Sequence, residues 1–223
     1  MRFCLNPDGV DASVDISVIM PSYLGDYPGC AIDREAKFVR AVRSFLSASS
    51  GLDAELIIVA DGCEITERLY WRRFSLHKSI RFARMDKQPL FSGRVRQLGL
   101  DMARGRWIAY LDSDDYFGRD HLRLLKLAMD SHTDCEWLYY DDATPRIKRK
   151  WMRTYHKVRP RLVELRPERI GTSAIVHRNS RQVQWGDGYG HDWRLIESML
   201  SLPHAKIAAA QYMVCHIPGE IDA

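Results

Sequence analysis

The chain has 223 residues, 46% hydrophobic and 28% charged, with a formal net charge of +4. That length buries a sizeable core without disulfides or structural metal, and the balance excludes an extensively disordered or fibrous protein. No stretch approaches the roughly 20 apolar residues of a membrane span, and the apolar start is cut short at Asp8, before a signal peptide could form. The expected location is therefore the cytoplasm. The five cysteines, Cys4, Cys30, Cys63, Cys135 and Cys215, are odd in number and widely spaced, as suits reduced thiols rather than a metal pair or a disulfide framework. Charge is uneven: the segment 146–169 carries ten Lys or Arg against Glu164 and Glu168, so it is +8 and the remainder −4. Such a segment is either a surface for anionic partners or a solvated hairpin face.

The first half alternates buried-strand runs with helical patterns. Residues 16–20, Ile-Ser-Val-Ile-Met, predict a strand that closes at Pro21. Asp33 can cap a helix whose Phe38, Val42 and Phe45 share a face and which ends at Gly51. Residues 56–60 and 80–85 predict two further strands around a helical stretch at 66–77. Ser92 and Gly93 open a helix with Val95, Leu98, Gly99 and Met102 on one side; Gly105 ends it before a strand at 107–111. A helix with Leu122, Leu125, Ala128 and Met129 on its face leads to a strand at 136–140. This rhythm implies a mostly parallel sheet with helices on both faces.

Beyond Asp141 the rhythm breaks. A basic strand or ribbon at 146–153 is followed by a Pro-interrupted stretch, a strand at 172–177, a helix at 192–200 and a final strand around 207–214.

In a parallel sheet successive strand ends face the same rim, where ligands bind. Three such ends carry Pro21-Ser22-Tyr23, Ala60-Asp61-Gly62 and Asp112-Ser113-Asp114-Asp115. Tyr23 offers a flat face to a base, Asp61 accepts from a base N–H or a sugar hydroxyl, and Gly62 lets backbone approach closely. Clustered Asp oxygens suit Mg²⁺ or Mn²⁺. Taken singly, Tyr23 reads as packing and Asp61-Gly62 as a turn; jointly, their order describes a nucleotide pocket.

Over residues 14–200 this arrangement resembles glycosyltransferase family 2, the GT-A-fold sugar transferases. Their pattern runs from a strand ending in Pro-x-Tyr, through one ending in Asp-Gly, to an Asp-x-Asp strand. Gly93-Arg94-Val95-Arg96-Gln97-Leu98-Gly99 is similar to the family's Ala-Arg-Asn-x-Gly helix, and Gly188-Tyr189-Gly190-His191-Asp192-Trp193 to its Glu-Asp-Trp segment.

The resemblance implies an α/β, Rossmann-like, mostly parallel sheet flanked by helices, with a mixed acceptor-binding C-terminal part. It makes 1–223 a single domain, with a nucleotide-sugar half at 14–140 and an acceptor and catalytic-base half at 141–223. The implied enzyme is an inverting, metal-dependent transferase. It moves a sugar from a nucleoside diphosphate donor, UDP-linked by preference, to a hydroxyl of a carbohydrate or lipid-linked acceptor in polysaccharide or glycoconjugate synthesis.

In this reading Asp192 is the catalytic base, Pro21, Tyr23, Asp61, Arg96 and Asp112 bind the donor, and Asp114 and His216 hold Mn²⁺ or Mg²⁺. Asp115 supports the loop. A plain helix cap is the alternative for Asp192, and His191 is a second candidate base. The basic 146–169 segment could meet a phosphate-bearing acceptor or an anionic membrane, which would place the protein at the inner face of the membrane.

Leu24, Ala60, Gln97 and His191 depart from the family pattern and leave open an inactive nucleotide-sugar-binding relative. No nucleic acid is expected as a partner, although the basic segment keeps a nucleic-acid-binding protein as a further alternative. The absence of Gly-x-Gly-x-x-Gly after the first strand, and of a P-loop, argues against a dehydrogenase or a P-loop enzyme.

Overall fold

The computed structural model describes residues 14–27, 30, 33–89, 91–150, 153–209 and 211–215, and for 145–150 and 153–158 the backbone alone. The first half is β1 (Ile16–Ser22), α1 (Arg34–Ala48), β2 (Ala54–Asp61), α2 (Glu64–Arg73), β3 (Ile80–Met85), α3 (Gly93–Met102) and β4 (Trp107–Tyr110). The second is β5 (Tyr116–Phe117), α4 (His121–Ser131), β6 (Trp137–Tyr140), β7 (Asp142–Lys150), β8 (Arg153–Arg161), β9 (Ile175–Arg178), α5 (His191–Met199), β10 (His204–Ile207) and β11 (Tyr212–Met213).

The larger sheet has the order β10-β6-β9-β4-β1-β2-β3. β1 lies between β2 and β4 and is parallel to both, and β2 is parallel to β3. β9 runs antiparallel to β4 and β6, which makes this sheet mostly rather than wholly parallel. β5, β11, β7 and β8 form a smaller sheet beside it.

The continuous apolar runs of β1 and β2 exist because both faces are covered. Phe38, Val42 and Phe45 of α1 pack with Val18, Leu56 and Ile58 on one face, and Val95 of α3 meets Ile57 and Val59 on the other. Each such side chain, fully buried, contributes about 1.5–3 kcal/mol.

Three expectations are corrected. β1 does not stop before Pro21 but runs to Ser22, with Pro21 in register with Val59. The Ile19 carbonyl accepts from Leu111, so position 21, two residues on, faces the β4 side, where the ladder has already ended at Ile19. The missing proline N–H therefore breaks no bond.

The basic segment is a two-stranded antiparallel ribbon, β7 with β8. The prolines of β7 and β8 are paired within the ribbon, Pro145 opposite Val158 and Pro160 opposite Ala143. The single final strand expected at 207–214 is two strands: β10 pairs with β6 in the large sheet, and β11 with β5 and β7 in the small one. No helix among the described residues is long and apolar enough to cross a membrane.

Candidate active site

The C-terminal ends of β1, β2 and β4 deliver their loops to one rim, as the strand order requires. There a cleft of about 240 Å³ is lined by Pro21, Tyr23, Asp61, Arg96, Asp112 and Asp114, together with Tyr27 and Arg34. Six of the residues singled out by sequence thus share one cavity.

Arg96 comes from the first turn of α3 and is 4% exposed. Its guanidinium donates to Asp112 Oδ1 at 2.6 Å and to Ser92 Oγ, and lies 5.1 Å over the Trp185 ring. Burial works against its charge, but the carboxylates of Asp112 and Asp192 outweigh that and keep it protonated far into the alkaline range.

The same guanidinium reaches the start of α5, where Asp192 Oδ1 lies 3.6 Å from Nη1. Two backbone features bring that segment close. A side chain at Gly93 would overlap the Gly186 carbonyl, so α3 packs directly on the backbone of the 186–190 loop. Gly190 then caps α5 and leaves Asp192 in its first turn, where the helix dipole favours an anion.

His191 uses both ring nitrogens. Nδ1 pairs with the Gly188 carbonyl at 3.1 Å, and Nε2 with Arg96 Nη1 at 3.0 Å. With Nδ1–H as the donor, the Nε2 lone pair accepts from arginine and has no proton for the neighbouring carboxylate. Asp192 Oδ1, 3.1 Å from that nitrogen, is accordingly a buried oxygen with no hydrogen-bond partner. Burial pushes the Asp192 carboxyl up, but the charge of Arg96 leads the effects that hold it below the ordinary carboxylate range.

At the other wall, Asp61 accepts from Lys87 Nζ at 2.7 Å and from the Gln88 amide at 2.6 Å. Lys87 Nζ also lies 4.4 Å over the Tyr23 ring. Gly62, at φ +61°, lets Lys87 come this near, because a Cβ there would fall 2.6 Å from that of Lys87. Asp61 therefore organises the loop after β3 as well as lining the cleft. Lys87 was not foreseen; no motif marks it, and its partner is 26 residues away.

The Asp-x-Asp loop is held from behind. The Asp112 amide donates to Tyr212 Oη at 2.9 Å, and buried Asp115 accepts from the Cys215 amide at 2.6 Å. Burial pushes the Asp115 carboxyl well up, and the charges of Asp114 and Asp112 add to the effect. Lys37, also buried, donates to the Cys215 carbonyl at 2.8 Å. The chain leading to position 216 is thus anchored beside the loop, while His216 itself lies outside the described residues.

Among the described residues no three His, Cys, Asp or Glu side chains gather into a metal cage. Asp112 and Asp114 do line the same cleft. Two carboxylates with substrate phosphates and water is a donor set that Mg²⁺ and Mn²⁺ accept, so the residues fit an ion that arrives with a diphosphate.

The departures from the family pattern find structural uses. Leu24 and Ala60 are core residues, Gln97 accepts from the Trp185 amide at 2.8 Å, and His191 holds Arg96.

A model of the family described as glycosyl transferase family 2 matches residues 17–183. The chain belongs to this family. The succinoglycan biosynthesis protein ExoO of Rhizobium meliloti (strain 1021) is 30% identical over 119 residues, which are 53% of this chain and 31% of ExoO. S. aureus TarS 1-349 shares the fold, with a TM-score of 0.67 at 16% identity over 91% of this chain and 60% of that one. The same TarS fragment in complex with UDP-GlcNAc matches with a TM-score of 0.66 at 16% identity, over 90% of this chain and 58% of its own. The chain therefore spans less than two thirds of the relatives it matches. The GT-A architecture and the mostly parallel sheet expected from the sequence are those observed.

Proposed function

We propose that this chain is a single catalytic domain that transfers a sugar from a nucleoside diphosphate donor to an acceptor hydroxyl with inversion. Residues 14–140 hold the donor, and residues 141–223 supply the acceptor side and the base. The observation that carries this reading is the buried Arg96 guanidinium, which joins the donor cleft through Asp112 to the carboxylate of Asp192. One cation thereby faces both the leaving group and the base.

The acceptor oxygen attacks the anomeric carbon on the face opposite the diphosphate. The new C–O bond forms as the bond to the phosphate oxygen breaks, and the nucleoside diphosphate leaves with that electron pair. The acceptor's proton passes to the Asp192 carboxylate. With its pKa held low Asp192 is a modest base, so its position against the hydroxyl supplies much of its effect.

Arg96 lies where negative charge grows on the leaving group, and its planar donors suit phosphate oxygens. Asp112 and Asp114 are the residues that would hold Mg²⁺ or Mn²⁺ with the two phosphates, and such an ion supplies neutralisation of the departing diphosphate. Pro21, Tyr23 and Asp61 border the space for the nucleoside.

TarS in complex with UDP and UDP-GlcNAc supports a UDP-linked donor, and the name of ExoO supports a role in polysaccharide synthesis. A cytoplasmic position is in keeping with such a donor. Contact of the basic ribbon with an anionic membrane belongs to the same proposal; strong salt-insensitivity of membrane association would count against it.

The test is calorimetric titration of UDP, GDP, CDP and dTDP with and without Mn²⁺, repeated on Asp114→Ala. One nucleotide is expected to bind selectively and with metal, and to lose the metal effect in the variant. No nucleotide binding under any condition would overturn the reading.

A further inference from the structure

Beside the donor cleft lies a second cavity of about 500 Å³, bordered by Phe91, Glu168, Ile170, Tyr189, Asp192 and Trp193. Three independent features distinguish it. Tyr189 is 80% exposed and Phe91 41%, with ring centroids 6.1 Å apart and planes at 67°, so two large aromatic rings face water in a concavity. Exposed aromatic surface of this kind marks a place where something is bound.

Phe91 and Glu168 have φ of 64° and 63°, and among the described residues they are the non-glycine residues in the left-handed region. Both border this one cavity. Such conformations cost about 1–3 kcal/mol each and concentrate at ligand sites. Finally, the Asp192 carboxylate borders the cavity on a side chain that is 37% exposed.

We propose that this cavity takes the acceptor as a pyranose ring. A pyranoside has flat faces of C–H groups and a rim of hydroxyls. The aromatic rings of Tyr189 and Phe91 match the faces, and the carboxylates of Asp192 and Glu168 match the rim as acceptors of O–H donors. The same carboxylates disfavour a phosphate-bearing acceptor here, since Arg194, which also borders the cavity, is turned to the Asp187 carbonyl. The proposal rests on the reading of Asp192 as the base, and extends it from any hydroxyl to the hydroxyl of a neutral sugar.

The test uses the wild-type chain, Tyr189→Ala and Phe91→Ala, with and without saturating UDP. Methyl β-glucoside, methyl β-galactoside, methyl β-N-acetylglucosaminide and glycerol 3-phosphate are the probes, and saturation-transfer NMR reads their contact with the protein. At least one pyranoside is expected to bind, with its ring C–H protons most strongly saturated, and each substitution weakens it by about ten-fold, the scale of one lost aromatic contact. UDP affinity is expected to stay within about two-fold, because neither ring lines the donor cleft. Binding of glycerol 3-phosphate in place of the sugars, no pyranoside binding, or equal binding by the variants would each overturn the proposal. Loss of UDP binding in the wild type would instead strike the donor reading, since pyranoside binding is also measured without nucleotide.

Discussion

The two rims of the large sheet each set a carboxylate beside arginine, Glu55 buried and Asp192 half-exposed, and they treat it in opposite ways. At the N-terminal rim Glu55, 2% exposed, accepts from Ser17 Oγ, from the Arg104 amide and from the side chains of Arg104 and Arg81. At the C-terminal rim Asp192 Oδ1 has ion-pair neighbours but no hydrogen bond, and the neighbouring Arg96 keeps its Nε unpartnered. A buried polar atom without a partner costs about 1–3 kcal/mol. A fold that satisfies Glu55 completely has the means to satisfy a carboxylate, so the incompletely bonded pair beside the cleft reads as one left to act on substrate. The closed rim supplies stability and the open one supplies chemistry.

The sharpest break in this contrast is Asp192→Asn. Transfer is expected to fall about 10³-fold while nucleotide affinity and the urea midpoint stay close to wild type; unchanged turnover would place the base elsewhere. Glu55→Ala should do the reverse. Leaving the arginines without their buried partner is expected to cost about 3–5 kcal/mol of unfolding free energy, read by urea denaturation, with nucleotide affinity per folded molecule preserved.

Acid should separate the rims further. Burial pushes the Glu55 carboxyl up, but its bonds to Ser17 and Arg104 outweigh burial and hold it below its ordinary value of 4.5. The lowered carboxyl contributes stability that is fully present above that value and lost as the pH falls through the folded one. Urea midpoints measured from pH 6 downward should thus fall more steeply for the wild type than for Glu55→Gln; parallel curves would refute the assignment.

The smallest effect expected is that of Lys87→Ala. Its ion pair with Asp61 is half exposed, and such pairs contribute about 0.2–1 kcal/mol. Nucleotide affinity should weaken only about two- to five-fold, by calorimetry, as the Tyr23 wall loosens.

Much of this was determined by sequence alone. Periodicity located β1, β2, β3, α3 and β4 because each buries a continuous apolar run or one helical face, and local hydrophobic spacing is written directly in the chain. Chain order then put Tyr23, Asp61 and Asp112 on one rim, since parallel strands force their C-terminal ends together. Pro21 misled because a missing N–H matters only if a neighbour strand is there to accept it, and that depends on where β4 ends. The closing strand was misread as one because its halves serve two sheets.

What tertiary structure decided are the pairings across long gaps. Arg96 with Asp112 and His191, Asp61 with Lys87, and Asp115 with Cys215 join residues from different elements. Side-chain geometry, not spacing, determines which donor reaches which acceptor. Gly93 merely opens a helix on paper; only packed backbone shows that its missing side chain lets α3 and the 186–190 loop touch. That contact brings the carboxylate of Asp192 to the guanidinium that also grips the Asp-x-Asp loop, an arrangement no local pattern encodes.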